Sequence, residues 1–242
     1  MAGDEESFVR FLEEALPTAP GPDEAARKFK AYHRAILEWN RKINLVSEGD
    51  LNRIWDRHFR DSLAPLAIFA GLGGGRLADV GSGAGFPGLA LALALPDLEF
   101  FLVESNRKRS AFLEEVIKKT GAGNVKVVRE RAETLGRDPD FRDRFDFGSA
   151  RALAKPAAAL EMVSPLVRPG GRVLLWAGTK DLEEDLKGVC AALRIRKAET
   201  RPVLLPGDDG PARRAIAVFE KIGPTPGDYP RRIGMARKRP LD

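Results

Sequence analysis

The stretch Asp79-Val80-Gly81-Ser82-Gly83-Ala84-Gly85-Phe86-Pro87-Gly88 decides the fold. The apolar run Arg76–Val80 leading into it reads as a strand, and Pro87–Leu95 reads as a helix. Glycines between them let the backbone turn sharply and approach a ligand with no Cβ in the way. Pro87 is expected near the first helical position, where its missing N–H costs nothing. Gly83 to Gly88 also satisfies G-x-G-x-x-G, so a dinucleotide site must be weighed; alone, that match is weak.

The same rhythm continues outward. Strands are predicted at Arg76–Val80, Glu99–Val103, Val125–Arg129, Phe145–Ser149 and Arg172–Trp176. Helices at Arg107–Thr120, Lys155–Leu166 and Leu182–Leu193 fill the gaps, which is the signature of a parallel sheet. Arg196–Leu205 and Arg213–Ile222 are strand-like runs joined by a Gly/Asp/Pro turn with no helix between them, so they should form a hairpin. The expectation is an α/β Rossmann-like sheet, mostly parallel, with an antiparallel terminal hairpin. Upstream, Ser7–Leu16 reads as a helix and Pro17–Pro22 as a linker. Asp23 then caps a long helix to about Trp39, with Ala25, Phe29, Tyr32, Ile36 and Trp39 on its apolar face. Three segments follow: a helical extension over 1–75, an α/β domain over 76–222 and a basic tail over 223–242.

Composition removes several classes. The chain has 242 residues, 43% of them hydrophobic, enough for a globular core. A single cysteine, Cys190, excludes a disulfide framework, and His33 and His58 cannot complete a three-histidine zinc site, so no metal is expected. The first residues are acidic where a signal peptide would be basic. The longest uncharged run, Val80 to Pro96, is shorter than the ~20 residues a membrane span needs. A soluble cytoplasmic protein is the expectation. The absence of Gln hints at a thermophile.

The formal net charge is +5, and Tyr229 to Leu241, which contains no acid, holds a surplus of that size in Arg231, Arg232, Arg237, Lys238 and Arg239. Such a tail is either a frayed, solvated terminus or a phosphate-binding arm. A second basic excess lies among Arg27, Lys28, Lys30, Arg34, Arg41, Lys42, Arg53, Arg57 and Arg60.

Three acids sharpen the ligand. Glu104 ends the second strand, where a carboxylate can accept both hydroxyls of a ribose. Ala132 and Glu133 follow the third strand and are placed for an adenine. These are adenosine contacts, shared by NAD and S-adenosylmethionine. Asp79, just before the first glycine, is awkward beside a pyrophosphate and favourable beside an ammonium or sulfonium group. With the terminal hairpin and no second substrate domain, S-adenosylmethionine is the better reading. An NAD-linked oxidoreductase and a non-catalytic RNA-binding module remain alternatives.

From Arg76 to Ile222 the chain resembles a class I S-adenosylmethionine-dependent methyltransferase, and more narrowly the bacterial RsmG (GidB) family. The resemblance rests on Asn44-Leu45, Arg57-His58 with Asp61-Ser62, the turn Asp79 to Gly88, Glu104-Ser105, Lys108-Arg109, Ala132-Glu133 and Ser149-Ala150-Arg151-Ala152. The tail adds Tyr229-Pro230-Arg231-Arg232, Gly234, Lys238 and Pro240-Leu241. That family methylates N7 of a guanine in 16S ribosomal RNA, so the resemblance implies 16S rRNA or the small ribosomal subunit as partner. It implies cofactor contacts at Gly81, Phe86, Glu104 to Asn106, Ala132-Glu133 and Arg151; the turn reading adds Asp79, Gly83 and Gly85. Substrate contacts are expected from Arg57, His58, Arg151, Arg231, Arg232, Arg237, Lys238 and Arg239, in a monomer. Ala236 stands where the family usually has proline, and Lys180 lies one place later than a lysine often found after the fifth strand.

Missing residues fit that acceptor. Methylating C5 of a pyrimidine needs a cysteine nucleophile, and Cys190 sits in a predicted helix, where a core role is expected. Methylating an exocyclic amine goes with an Asn/Asp-Pro-Pro-aromatic loop after the fourth strand, where this chain has Ser149-Ala150-Arg151-Ala152-Leu153. Guanine N7 offers an in-plane lone pair and no proton, so neither a side-chain nucleophile nor a general base is expected. Arg151 can face O6 or the methionine carboxylate. On a helix, Asp61 lies within reach of both Arg57 and His58, which suffices for a local cluster without substrate. His33 is expected at the surface or its boundary.

Overall fold

The computed structural model describes residues 2–16 and 21–242; most of the predicted linker after Leu16 lies outside the described residues. In chain order the elements are α1 (Ala2–Ala15), α2 (Pro22–Asn40), α3 (Glu48–Leu51), a π-helical segment (Ile54–Arg60), α4 (Asp61–Leu63), β1 (Gly75–Val80), α5 (Gly88–Ala94), β2 (Leu98–Val103), α6 (Arg107–Thr120) and β3 (Val125–Val128). There follow α7 (Ala132–Leu135), β4 (Phe145–Arg151), α8 (Pro156–Val163), β5 (Val167–Gly178), α9 (Lys187–Leu193), β6 (Ile195–Val203), β7 (Arg214–Lys221) and α10 (Met235–Lys238). Packing divides the chain into two compact units. The first holds Met1–Gly74 with Ser82–Arg129, the second Gly75–Gly81 with Glu130–Asp242.

The first unit is built on rings. Phe8, Phe29 and Phe59, from α1, α2 and the π-helical segment, are completely buried, with Phe29 and Phe59 centroids 4.9 Å apart. Each such side chain contributes roughly 1.5–3 kcal/mol by leaving water. The predicted face of α2 is the buried one at Ala25, Phe29, Tyr32 and Ile36, while Trp39 is half-buried against Phe112 of α6. The cap differs from expectation: Gly21 precedes the helix and Pro22 opens it, because proline's fixed φ suits the first turn. Asp23 and Glu24 lie inside that turn, where negative charge complements the helix dipole. Pro87 likewise precedes α5 rather than opening it. β2 and β3 pair in parallel, with Phe100 opposite Val125. α6 has the bounds the sequence predicts, because Asn106 caps its start through Lys108 and Arg109 N–H and Gly121, at φ 65°, ends it.

The second unit carries strands in the order β1-β4-β5-β7-β6. β1, β4 and β5 run parallel, and β7 and β6 return antiparallel, as the terminal hairpin predicts. β4 runs two residues beyond its predicted end because Ala150 and Arg151 pair with Leu175 and Trp176 of β5. α9 begins later than expected: a 3-10 turn occupies Lys180–Leu182, and the Asp185 carboxylate accepts from Lys187 N–H at 3.0 Å to start the helix. Two charges sit deep here. Glu161 of α8 is fully buried, and Lys221, ending β7, is 1% exposed.

Candidate functional site

The glycine turn spans both units, Asp79 to Gly81 in the second and Ser82 onward in the first. Each side is described by itself.

In the first unit, Glu104 leaves the end of β2 and is buried. Its Oε2 accepts from Gly83 N–H at 3.0 Å and its Oε1 from Asn106 N–H at 2.7 Å. Two backbone donors fix the carboxylate and leave acceptor capacity on each oxygen. The loop closes on itself, with Gly85 N–H donating to the Ser82 carbonyl at 2.6 Å. Gly85 has φ 92°, and a Cβ there would overlap the Tyr32 hydroxyl, which donates to the Ala84 carbonyl. Phe86 lies over the His58 ring at 4.8 Å and beside Tyr32 and Phe59. The N-terminal helices therefore form the back wall of the turn. Sequence reasoning missed Tyr32 in this role, reading it only as one of an apolar stripe. Ser105 and Asn106 are exposed, with the Asn106 side chain engaged in capping α6.

Arg57 and His58 lie on the π-helical segment. Arg57 Nε is 2.8 Å from Asp50, and His58 Nε2 is 3.9 Å from the same carboxylate. The expected helical cluster with Asp61 is thus corrected for Arg57, whose guanidinium pairs with Asp50 of α3 instead. His33 is half-buried against Trp55 at 4.8 Å; burial lowers its pKa and the Glu5 charge opposes that shift.

In the second unit, Asp79, next to last in β1, lies opposite Ser149 of β4, whose hydroxyl donates to Asp79 Oδ1 at 2.7 Å. Asp79 has no exposed surface. Gly81, at φ 74°, has no room for a side chain: a Cβ would lie 2.5 Å from Leu153. Ala132 and Glu133 are buried on α7, and Glu133 Oε1 accepts from Gly234 N–H at 3.0 Å. Arg151 is half-buried at the end of β4.

The tail is not a frayed terminus. Arg231 grips Glu161 through Nε at 2.9 and 3.1 Å and Nη2 at 2.6 Å, and Ala236 is buried. Arg231 is thereby held in an internal ion pair, while Arg232, Arg237, Lys238 and Arg239 are exposed. One signal for Glu161 was in the sequence: a lone acid inside the apolar helix Pro156-Ala-Ala-Ala-Leu-Glu-Met-Val requires a cation. Cys190 is half-exposed rather than in the core, with burial still raising its thiol pKa. Lys180 is exposed. Among the described residues no three His, Cys, Asp or Glu are grouped to hold a metal, and no helix is long and apolar enough to cross a membrane.

Residues 25–203 match the family model GidB, described as rRNA small subunit methyltransferase G. The chain belongs to this family. It is 41% identical over 215 residues to the ribosomal RNA small subunit methyltransferase G of Desulfitobacterium hafniense, covering 88% of each chain. The enzyme of that name from Syntrophomonas wolfei is 42% identical over 212 residues, covering 88% of this chain and 98% of its own. Among solved structures the likeness is at the level of fold: M. jannaschii TYW2 in complex with AdoMet has a TM-score of 0.51 at 16% identity, over 75% of this chain and 80% of its own. The antibiotic-resistance methyltransferase Kmr gives 0.50 at 20% identity, over 68% and 94%. GidB-family membership sets aside the oxidoreductase alternative.

Proposed function

We propose that this chain is an S-adenosylmethionine-dependent methyltransferase that modifies N7 of a guanine in 16S rRNA, as a cytoplasmic monomer acting on the RNA or the small ribosomal subunit. The observation that carries the reading is Glu104, buried and fixed by Gly83 and Asn106 N–H. Held so, its remaining lone pairs suit two vicinal hydroxyls of a ribose. The donor set fits the rest of the cofactor. In the first unit Gly83, Gly85 and Phe86 would allow close backbone approach, with Ser105 and Asn106 beside Glu104; in the second, Asp79 would hold the ammonium and Ala132 and Glu133 the adenine, with Gly81 and Arg151 contributing.

Bound S-adenosylmethionine supplies a methyl on a sulfonium sulfur, open to in-line attack by a lone pair. Guanine N7 carries no proton, so the protein's task is to align the base and exclude water. Such placement is worth ~7–11 kcal/mol. Arg151 would face O6 or the methionine carboxylate, and Arg57, His58, Arg232, Arg237, Lys238 and Arg239 would meet the RNA.

The test is tritium transfer from S-adenosylmethionine to small-subunit RNA, followed by borohydride reduction and aniline cleavage at the modified guanine. Label appears at one guanine, and Glu104→Ala weakens S-adenosylmethionine binding by at least ~100-fold, since two charge-assisted hydrogen bonds are lost. Label on protein or a metabolite, with none on RNA, overturns the reading.

A further inference from the structure

Glu133 sits on α7, a helix of only four residues. A helix that short has no stability of its own, so its side chains are aimed by tertiary contacts. The contact that reaches the Glu133 carboxylate comes from the tail, through Gly234 N–H at 3.0 Å. Gly234 has φ 81°, a left-handed conformation suited to glycine.

The chain leading to Gly234 is fastened along its length. Arg142 Nη1 donates to the Gly136 carbonyl at 2.5 Å and the Tyr229 carbonyl at 2.8 Å, tying the end of α7 to the tail. Arg142 Nη2 donates to the Thr225 and Pro226 carbonyls at 2.5 and 3.2 Å, and Arg137 Nη2 reaches the Asp228 carbonyl at 3.2 Å. Pro230 lies so close to Gly136 that a Cβ there would be 2.8 Å from its ring. The last fastening is Arg231 on Glu161, where the Arg231 backbone N–H also donates to Oε1 at 2.9 Å. A fully buried carboxylate is tolerable only when paired, so this ion pair is strongly held.

We propose that Thr225–Gly234 is a strap that positions Glu133 for the cofactor, and that the Glu161–Arg231 pair is its anchor. Arg231 is then a positioning residue for S-adenosylmethionine binding rather than an RNA contact. This rests on the assignment of Glu133 to the cofactor made above. It reverses the simplest expectation for a basic tail, that cofactor affinity is independent of it.

The test is a double-mutant cycle on the full chain, read by calorimetry with S-adenosylhomocysteine. Arg231→Met should weaken binding by about tenfold, the scale of one charge-assisted hydrogen bond, and Arg231→Lys should recover part of it. Glu133→Ala should weaken binding too, and Arg231→Met added to it should then cost less than about twofold, because the group being positioned is gone. Should Arg231→Met not fold, Glu161→Leu with Arg231→Met removes both charges and enters the cycle in its place. Unchanged affinity in Arg231→Met or in Glu133→Ala overturns the strap, as does a full tenfold loss that persists beside Glu133→Ala. Failure of the wild type to bind, or tight binding by Glu104→Ala, would instead overturn the functional reading itself.

Discussion

The two units support their candidate residues by opposite chemistries. In the first, the glycine turn is backed by rings: Tyr32, His58 and Phe59 surround Phe86, and a wider cluster of Phe8, Phe29 and Trp55 backs them. In the second, α7 and α8 are held by ions, with Glu161 on Arg231 and Lys221 among carbonyls. Ring packing is close to indifferent to pH and salt, and it degrades with lost volume. Buried ions are indifferent to a lost methylene, and they fail when a proton moves or a partner leaves. Different perturbations should therefore damage the two units.

The largest effect is expected from Phe59→Ala. Phe59 is fully buried and meets five other aromatic rings, so truncation loses both transfer energy and packing. A destabilisation of about 3–5 kcal/mol is expected in denaturant unfolding. The loss should be the same at low and high salt, since no charge is involved. A strongly salt-dependent loss would break the contrast.

Lys221 probes the other side. Its ammonium donates to the Ser164 carbonyl at 2.6 Å, the Thr225 hydroxyl at 2.5 Å and the Val167 carbonyl at 3.1 Å, with Asp143 at 3.5 Å. Burial lowers its pKa to about 8, against the opposing pull of Asp143. The unfolded chain therefore keeps this proton between about pH 8 and pH 10.4 while the folded chain has released it. Stability tied to this group is fully present above the upper value and is lost as pH falls through the lower one. Relative to Lys221→Met, the wild type should gain on the order of 3 kcal/mol between those limits, measured as paired unfolding curves. Parallel pH profiles for the two proteins would show that burial does not control the group.

How far the sequence foretold all this follows the same division. Apolar periodicity placed the buried face of α2 and the bounds of α6, because that signal is local; in the structure Asn106 and Gly121 cap those bounds. The place of Glu104 at the end of β2 was legible because strand patterning is local. The clasp on the tail was not. Glu161 and Arg231 are brought together by tertiary folding, and the basic run reads the same whether its arginines face water or a buried acid. Tyr32 was visible as core, and its bond to Ala84 was hidden because hydroxyl and ring lie on the same apolar stripe. Helical spacing pairs Arg57 with Asp61 and gives no sign that the chain before the segment brings Asp50 of α3 beside it.

A smaller effect tests whether the first unit depends on any polar contact. Asn106 accepts from Lys108 and Arg109 N–H at 2.9 and 3.2 Å. Asn106→Ala should cost about 1 kcal/mol of stability, and Asn106→Asp should preserve it, because an anion also suits a helix N-terminus. Loss in both variants would mean that the amide itself, beyond capping, is needed.

The smallest effect is the most direct check that depth, rather than charge, gives the second unit its sensitivity. Arg196 of β6 lies opposite Glu220 of β7 and approaches it at 2.6 Å, as close as Arg231 comes to Glu161. The arginine of the outer pair is 69% exposed, whereas the acid of the inner pair has no exposure. Closest approach alone would rank the two pairs equally. Water makes the difference: an exposed pair exchanges solvation for contact at little net gain and is screened by salt. Arg196→Ala should leave the unfolding midpoint and S-adenosylhomocysteine affinity unchanged, while Arg231→Met shifts both. Equal responses from the two arginines would show that the short contact, and not the burial of its acid, is what the second unit depends on.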